Sequence, residues 1–427
     1  MRRLALVSGA SSLLSAPAQL VYDLCKGHFS AELIRSRLGL LNVPKSAAWF
    51  HASSVGECAL AVAAASAINE AQLAADEDIL SSALLTSWTN QGTVWARKRA
   101  APQLNPGITV TAVDAVWNSP RAVRRLLQRT QPKAAFFVQS ELWPSMISEA
   151  SSFGCHLAVI DGRMSERSLR RWKYYASNVA LDMMASFNVV IASSESHAAR
   201  FKNLGATNVV VAPSLKFATA EEKTPQVDEE LSAALESRKV WMAVSTHPGE
   251  AQVIIEAHRR VSQLFDKPPL LVLAPRYPEQ CESIARSIDR NVMLRSKAGS
   301  PLPSTEVFIV DTLGELSIFF RHLDIAFIGN SLLANGKGHN FAEAAAEGCT
   351  ILRGPNVADF EEMELQTGVP QSFIRVEDSA SIAKAVHRLL LDPDSHREAG
   401  REIQDSVRRL GKQAKEAVVQ NLVPLLN

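Results

Sequence analysis

The chain has 427 residues, 47% of them hydrophobic and 21% charged, with a formal net charge of +1. That length calls for two or three cores, and the composition excludes the disordered and fibrous classes. The charge is unevenly spread, with 21 Lys/Arg against 14 Asp/Glu in residues 1–215 and 24 against 30 in residues 216–427; the first half is read as facing an anionic partner, or as carrying solvated helix faces.

The N-terminus, MRRLALVSGASSLLSAPAQLVY, has two Arg and then 19 uncharged residues from Leu4 to Tyr22. It reads as a weak membrane anchor, an interfacial segment or an organelle-targeting peptide, and no later run approaches a membrane span. The five Cys have no CxxC spacing and the ten His are scattered. A disulfide framework and a protein-held metal are therefore not expected.

Short apolar runs then alternate with helical stretches. They are AAWF, ILSSALL, ITVTAV, KAAFFVQ, HLAVI, VVIAS and VVVAP, followed by VWMAVS, LLVLAP, VFIVD, IAFIG and TILRG. This βαβ rhythm predicts an α/β fold of parallel sheets covered on both faces. The polar stretch ATAEEKTPQVDEE falls between the seventh and eighth runs. The expected organisation is an N-terminal segment (1–30), a first Rossmann-like domain (31–217), a linker (218–235), a second Rossmann-like domain (236–393) and a C-terminal helical tail (394–427).

Ligands of such sheets bind beyond the C-terminal strand ends. Glu57 follows the first run, Ser140 and Glu141 the fourth, Asp161-Gly162-Arg163 the fifth and Lys216 the seventh. In the second half, STHPGE (245–250), APRYPE (274–279), DTLGE (311–315) and the Gly-rich segment 329–348 stand in equivalent places. The last suits a phosphate, because loop glycines admit backbone N–H groups to an anion and a helix is expected near Asn340. It is not a Walker A loop, since Gly336-Lys337-Gly338 lacks the following Ser/Thr. Ser54-x-x-Glu57 also forms a capping box, so Glu57 has a purely structural reading from its own segment. Arg121, Arg124, Arg125 and Arg129 recur at helical spacing, and Arg163, Arg167, Arg170 and Arg171 form a second basic group. The first group does not interleave with aromatics, so nucleic-acid binding is not expected.

HASSVGE, SELWP, DGRMSERS, SLKFA, STHPGE, PRYPE, DTLGEL, FIGNSL and GHNFAEAAAEG, in that order, resemble the Kdo (3-deoxy-D-manno-octulosonic acid) transferases over about residues 35–360. Forms such as GNSL and EAAAEGC are closer to the plant and algal branch. The resemblance implies a GT-B fold, two Rossmann-like domains with parallel sheets facing a central cleft. It implies an inverting glycosyltransferase that moves Kdo from CMP-Kdo to a hydroxyl of a phosphorylated lipid A precursor at a membrane surface, with no cofactor, metal or nucleic acid. The compartment would be the cytoplasmic face of the inner membrane in a bacterium or the mitochondrion in a eukaryote. Carried over by position, Glu57 is the general base and Glu141 and Lys216 stabilise the transition state. Pro275, Arg276, Leu313, Gly314, Glu315, Asn340, Phe341, Ala342 and Glu343 contact CMP, and Ser54, Gly56 and Arg163 face the acceptor. The chain departs from the family at Asp161-Gly162 (usually Asn-Ala), Gly329-Asn330 (a Gly pair), Lys337 (Gly) and Ala342 and Ala344 (Leu and Pro), and has Tyr277 or Asn356 where His is usual. These departures leave open a catalytically silent binding protein or a nucleotide-sugar epimerase on the same fold.

Overall fold

The computed structural model describes residues 30–76, 80–104, 107–220, 229–288 and 291–427. The expected N-terminal segment, apart from Ser30, and residues 221–228 of the expected linker lie outside the described residues. The chain divides into two units, the first comprising residues 1–215 and 412–427 and the second residues 216–411. The C-terminal helix Asp394–Leu422, expected as a tail of its own, belongs to the second unit through Gly411 and to the first from Lys412. Leu231 and Leu235, within the expected linker, are buried in the second unit's core.

The first unit is a seven-stranded parallel sheet of β1 (Ala48–Ala52), β2 (Ser82–Ser87), β3 (Thr109–Asp114), β4 (Ala134–Val138), β5 (His156–Gly162), β6 (Val189–Ala192) and β7 (Val209–Val211). The strand order is β3-β2-β1-β4-β5-β6-β7. β1 and β4 are buried at every residue because helices cover both faces, which is why they read as unbroken apolar runs. Cross-strand aromatic pairs, Phe50 with Phe136 at 5.0 Å and Trp49 with Phe137 at 5.7 Å, sit on opposite faces of this pair.

The helix Val55–Ala75 is, contrary to the sequence expectation, apolar and long enough to cross a membrane. It is instead a core helix, whose Ala61 to Ala65 are all buried, because small side chains let it lie close on the sheet. Cys58, Cys155, Cys281 and Cys349 are free and buried.

The second unit repeats the plan with β8 (Val240–Thr246), β9 (Leu270–Pro275), β10 (Val292–Leu294), β11 (Val307–Ile309), β12 (Ile325–Ile328), β13 (Thr350–Arg353) and β14 (Phe373–Arg375), in the order β10-β11-β9-β8-β12-β13-β14. The second sheet reverses order at its edge, where β10 lies outside β11, and each sheet has a central switch point, between β1 and β4 and between β8 and β12. Connections leave that point for opposite faces, opening a crevice at the C-terminal strand ends.

Candidate active site

At the first switch point β1 ends in His51 and Ala52, and the chain turns through Ser53 and Ser54 into the helix Val55–Ala75. Ser54 caps that helix by accepting from the Glu57 amide at 3.4 Å. Glu57 Oε2 accepts from the amides of Ser53 at 2.6 Å and Ser54 at 3.1 Å. The capping box is thus real, and it fixes the carboxylate at the strand end. Ser54 and Gly56 are exposed beside it, and a Cβ on Gly56 would meet nothing within 4 Å. The neighbouring Cys58 thiol is inert, pushed up to about 12 first by burial and further by the Glu57 charge, against a hydrogen bond to Ser87.

β2 ends beside β1, and its loop docks there: the amides of Trp88 and Thr89 donate to the carbonyls of Ala52 and Ser53. On the other side β4 is followed by Gln139, left-handed at φ 57°, a strained conformation of the kind found at functional sites. Glu141 follows, its Oε2 accepting from Trp143 Nε1 at 2.7 Å and lying 3.6 Å from Nε2 of the fully buried His51. Trp143 stacks on Trp88 at 5.5 Å, and the Arg37 guanidinium covers Trp88 at 4.2 Å. Glu57, Glu141, Trp88 and Trp143 therefore follow the ends of three adjacent strands, with His51 buried beside Glu141. Arg163 stands at the end of β5, next but one beyond β1.

At the second switch point the organising group is Glu250, fully buried in the first turn of the helix Glu250–Ser262. Its carboxylate accepts from the amides of His247 (2.9 Å), Asn330 (2.6 Å), Ser331 (2.9 Å) and Leu332 (3.0 Å). One side chain thus binds the β8 loop to the Gly-rich loop after β12. A Cβ on Gly329 would lie 2.3 Å from the Ser245 carbonyl oxygen, so only glycine permits this approach. His247 and His339 meet across the two loops, Nε2 to Nε2 at 2.9 Å, with Tyr277 edge-on to His247. Burial, then His247, then Arg276 push His339 down to about 4. It is neutral at pH 7, so one ring donates and the other accepts.

Arg276 is exposed just after Pro275, its amide tied to the Thr246 carbonyl. Leu313 and Gly314 are exposed on the loop after β11. Burial raises the Glu315 carboxyl, but hydrogen bonds from Thr312 and Arg295 outweigh this and hold it below the usual range. Asn340 Oδ1 accepts from the Ala342 amide at 3.2 Å. Phe341 and Ala342 are buried, Phe341 against Phe217 and Phe373; Glu343 is exposed. The helix expected near Asn340 is the five-residue Ala342–Ala346. Lys216 begins the second unit, its ammonium 4.6 Å over the Phe360 ring. Sequence reasoning assigned no role to His51, Trp88, Trp143, His247, Glu250 or His339. All but Trp88 lie inside quoted motifs, so a search for polar or aromatic residues at β1, β4, β8 and β12 ends would have raised them.

The first basic face is mostly absorbed by packing. Arg124 pairs with Glu149 through two bonds of 3.0 Å, and Arg125 and Arg129 donate to the carbonyls of Leu38 and Leu41. In the second group Arg167, Arg170 and Arg171 are exposed, with Tyr174 and Tyr175 about four-fifths exposed beside them. Among the described residues no group of three or more His, Cys, Asp and Glu is placed to hold a metal.

Two doubly wound parallel sheets, each with ionisable groups at its switch point, define the class as a two-Rossmann protein of GT-B type. Solved structures agree on the fold: a UDP-GlcNAc 2-epimerase of Neisseria meningitidis superposes with a TM-score of 0.58 at 12% identity, over 88% of this chain and 99% of that one. Anabaena HepE gives 0.55 at 13%, over 89% and 99%. A family model described as 3-deoxy-D-manno-octulosonic-acid transferase (kdotransferase) matches residues 32–219. An Arabidopsis thaliana protein named "Probable 3-deoxy-D-manno-octulosonic acid transferase, mitochondrial" is 30% identical over 402 residues, 90% of this chain and 85% of that protein. The 3-deoxy-D-manno-octulosonic acid transferase of Rickettsia felis is 32% identical over 338 residues, 77% of this chain and 68% of that protein. The chain belongs to the 3-deoxy-D-manno-octulosonic acid transferase family and is a Kdo glycosyltransferase.

Proposed function

We propose that this enzyme transfers Kdo from CMP-Kdo to a hydroxyl of a phosphorylated lipid A precursor, with inversion at the anomeric carbon. Glu57 takes the proton of the attacking hydroxyl as the new C–O bond forms and the bond to the CMP phosphate breaks. Glu141 stabilises the developing charge on the sugar, and Ser54, Gly56 and Arg163 meet the acceptor. In the second unit Pro275, Arg276, residues 313–315 and residues 340–343 hold CMP, and Arg276 and Lys216 balance the charge of the departing phosphate. The observation that carries the reading is the fixed Glu57 carboxylate at the first switch point, bonded by two backbone amides.

The membrane surface enters through Arg167, Arg170 and Arg171 with the exposed Tyr174 and Tyr175, the basic and aromatic pairing that suits an anionic lipid interface. The enzyme acts at such a surface, in the mitochondrion as for the named Arabidopsis relative if its source is eukaryotic, or at the inner membrane if bacterial. The test is CMP release by purified full-length protein. Release from CMP-Kdo only when a lipid A precursor is supplied supports transfer. Acceptor-independent consumption of the donor, or none under any condition, overturns it.

A further inference from the structure

We propose that His51 is a positioning residue that aims Glu141, at the end of a relay of donors running from Trp49 through Thr86. The inference rests on the reading above that Glu141 serves the transfer.

The relay follows from what each ring nitrogen of His51 faces. Thr86 Oγ1 lies 2.8 Å from Trp49 Nε1, 2.9 Å from His51 Nδ1 and 3.4 Å from the Phe50 carbonyl oxygen. An indole nitrogen can only donate, so Trp49 occupies one lone pair of that hydroxyl. Thr86 has one proton, for the Phe50 carbonyl or for Nδ1, so the hydroxyl alone is compatible with either tautomer. The Glu141 carboxylate facing Nε2 favours a proton on that nitrogen, and Nδ1 then accepts from Thr86 over the shorter of its two contacts.

Nε2 is buried, has no hydrogen-bond partner within the structure, and faces Glu141 Oε2 across 3.6 Å. A buried N–H left unmade is unfavourable, and closing a few tenths of an ångström completes it. Glu141 Oε2 would then hold two donors, Trp143 Nε1 and His51 Nε2, which fix the carboxylate in both rotation and depth. The imidazole is fully buried, with the Trp49 and Phe137 ring centroids 6.1 and 6.0 Å away, so its orientation is restricted by packing. With no exposed surface, His51 touches no ligand and acts only through Glu141.

The experiment compares His51→Gln, whose amide nitrogen can stand where Nε2 does, with His51→Phe, which fills the ring's space without a donor. Both are measured for kcat, KM and thermal midpoint, alone and with Glu141→Gln. His51→Phe should lower kcat by about 10-fold or more with KM for CMP-Kdo unchanged, and His51→Gln should restore most of it. In the Glu141→Gln background His51→Phe should cost nothing further. A folded His51→Phe with full kcat overturns the inference while leaving Glu141 in place. Equal losses in both variants that track a lowered thermal midpoint do so too, by reducing His51 to packing. A Glu141→Gln enzyme with full kcat overturns the underlying reading instead. Should His51→Phe fail to fold, ¹⁵N-histidine NMR of the wild-type chain decides: a proton on Nε2 supports the relay and one on Nδ1 removes it.

Discussion

Glu57 carries two roles at one position, and a substitution separates them. Glu57→Gln keeps an oxygen that can accept from the Ser53 and Ser54 amides, so stability should change by about 1 kcal/mol or less. Turnover should fall by at least about 10²-fold because the amide cannot take a proton; near-normal turnover in the folded variant would leave only the cap. Glu250 shows the opposite weighting. No surface of it is exposed, yet its carboxylate carries four backbone amides from two loops. Glu250→Gln turns an NH₂ group toward those donors, and urea unfolding should show a loss of about 2 to 4 kcal/mol; a loss within error would mean the loops hold without it. Two departures from the family pattern have a conformational reason. Asn330 and Asp161 have φ of 57° and 52°, the left-handed region that Gly, Asn and Asp enter most readily, so each exchange keeps the backbone. Glu57, Glu141, Lys216 and Arg276 stood out in the sequence as carboxylates and cations at strand ends; Glu250 did not, since its partners Asn330, Ser331 and Leu332 lie far along the chain. Nor did His51, since a histidine closing an apolar strand looks like any other until its ring nitrogens can be paired.

At the scale of elements, twelve of the fourteen strands among the described residues stand out as apolar runs in the sequence. The two that do not, Val292–Leu294 and Phe373–Arg375, are three-residue strands at the two edges of the second sheet, partly exposed and too short to carry a pattern. The loops follow from strand adjacency: β11, β9, β8 and β12 are consecutive neighbours, so their C-terminal loops line one edge, although they lie far apart along the chain. If that edge holds CMP, Arg276→Ala should weaken CMP binding by about 1.5 to 3 kcal/mol in calorimetry. Unchanged affinity would move the nucleotide elsewhere. The same edge has a pH signature. Unfolded histidine titrates near 6.5 and folded His339 near 4, so between those values the unfolded chain binds a proton that the folded chain refuses. Stability from this site is complete above pH 6.5 and is lost as pH falls toward 4. The thermal midpoint of wild type should therefore drop more steeply across that window than that of His339→Gln, and parallel slopes would assign the acid sensitivity to other groups.

For the whole molecule, the division into a first half with an excess of cations and a second half with an excess of acids bears on how leaving-group charge is met. A monophosphate carries less charge than a nucleoside diphosphate, and Arg276 and Lys216, both in the second unit, are the cations proposed to balance it. The two acids best placed to recruit a divalent ion there, Asp311 and Glu315, are already engaged: Ser296 donates to Asp311 through its amide and hydroxyl, and Arg295 reaches Glu315 at 3.2 Å. Stripping either acid from these partners to coordinate Mg²⁺ would forfeit charge-assisted hydrogen bonds, which a weak, water-rich Mg²⁺ site does not repay. Transfer should accordingly persist in excess EDTA at close to its rate in Mg²⁺, measured as acceptor-dependent CMP release. A collapse in EDTA that Mg²⁺ reverses, and that Asp311→Asn abolishes, would mean that the protein's own cations are insufficient and that the acidic second half supplies a metal ligand.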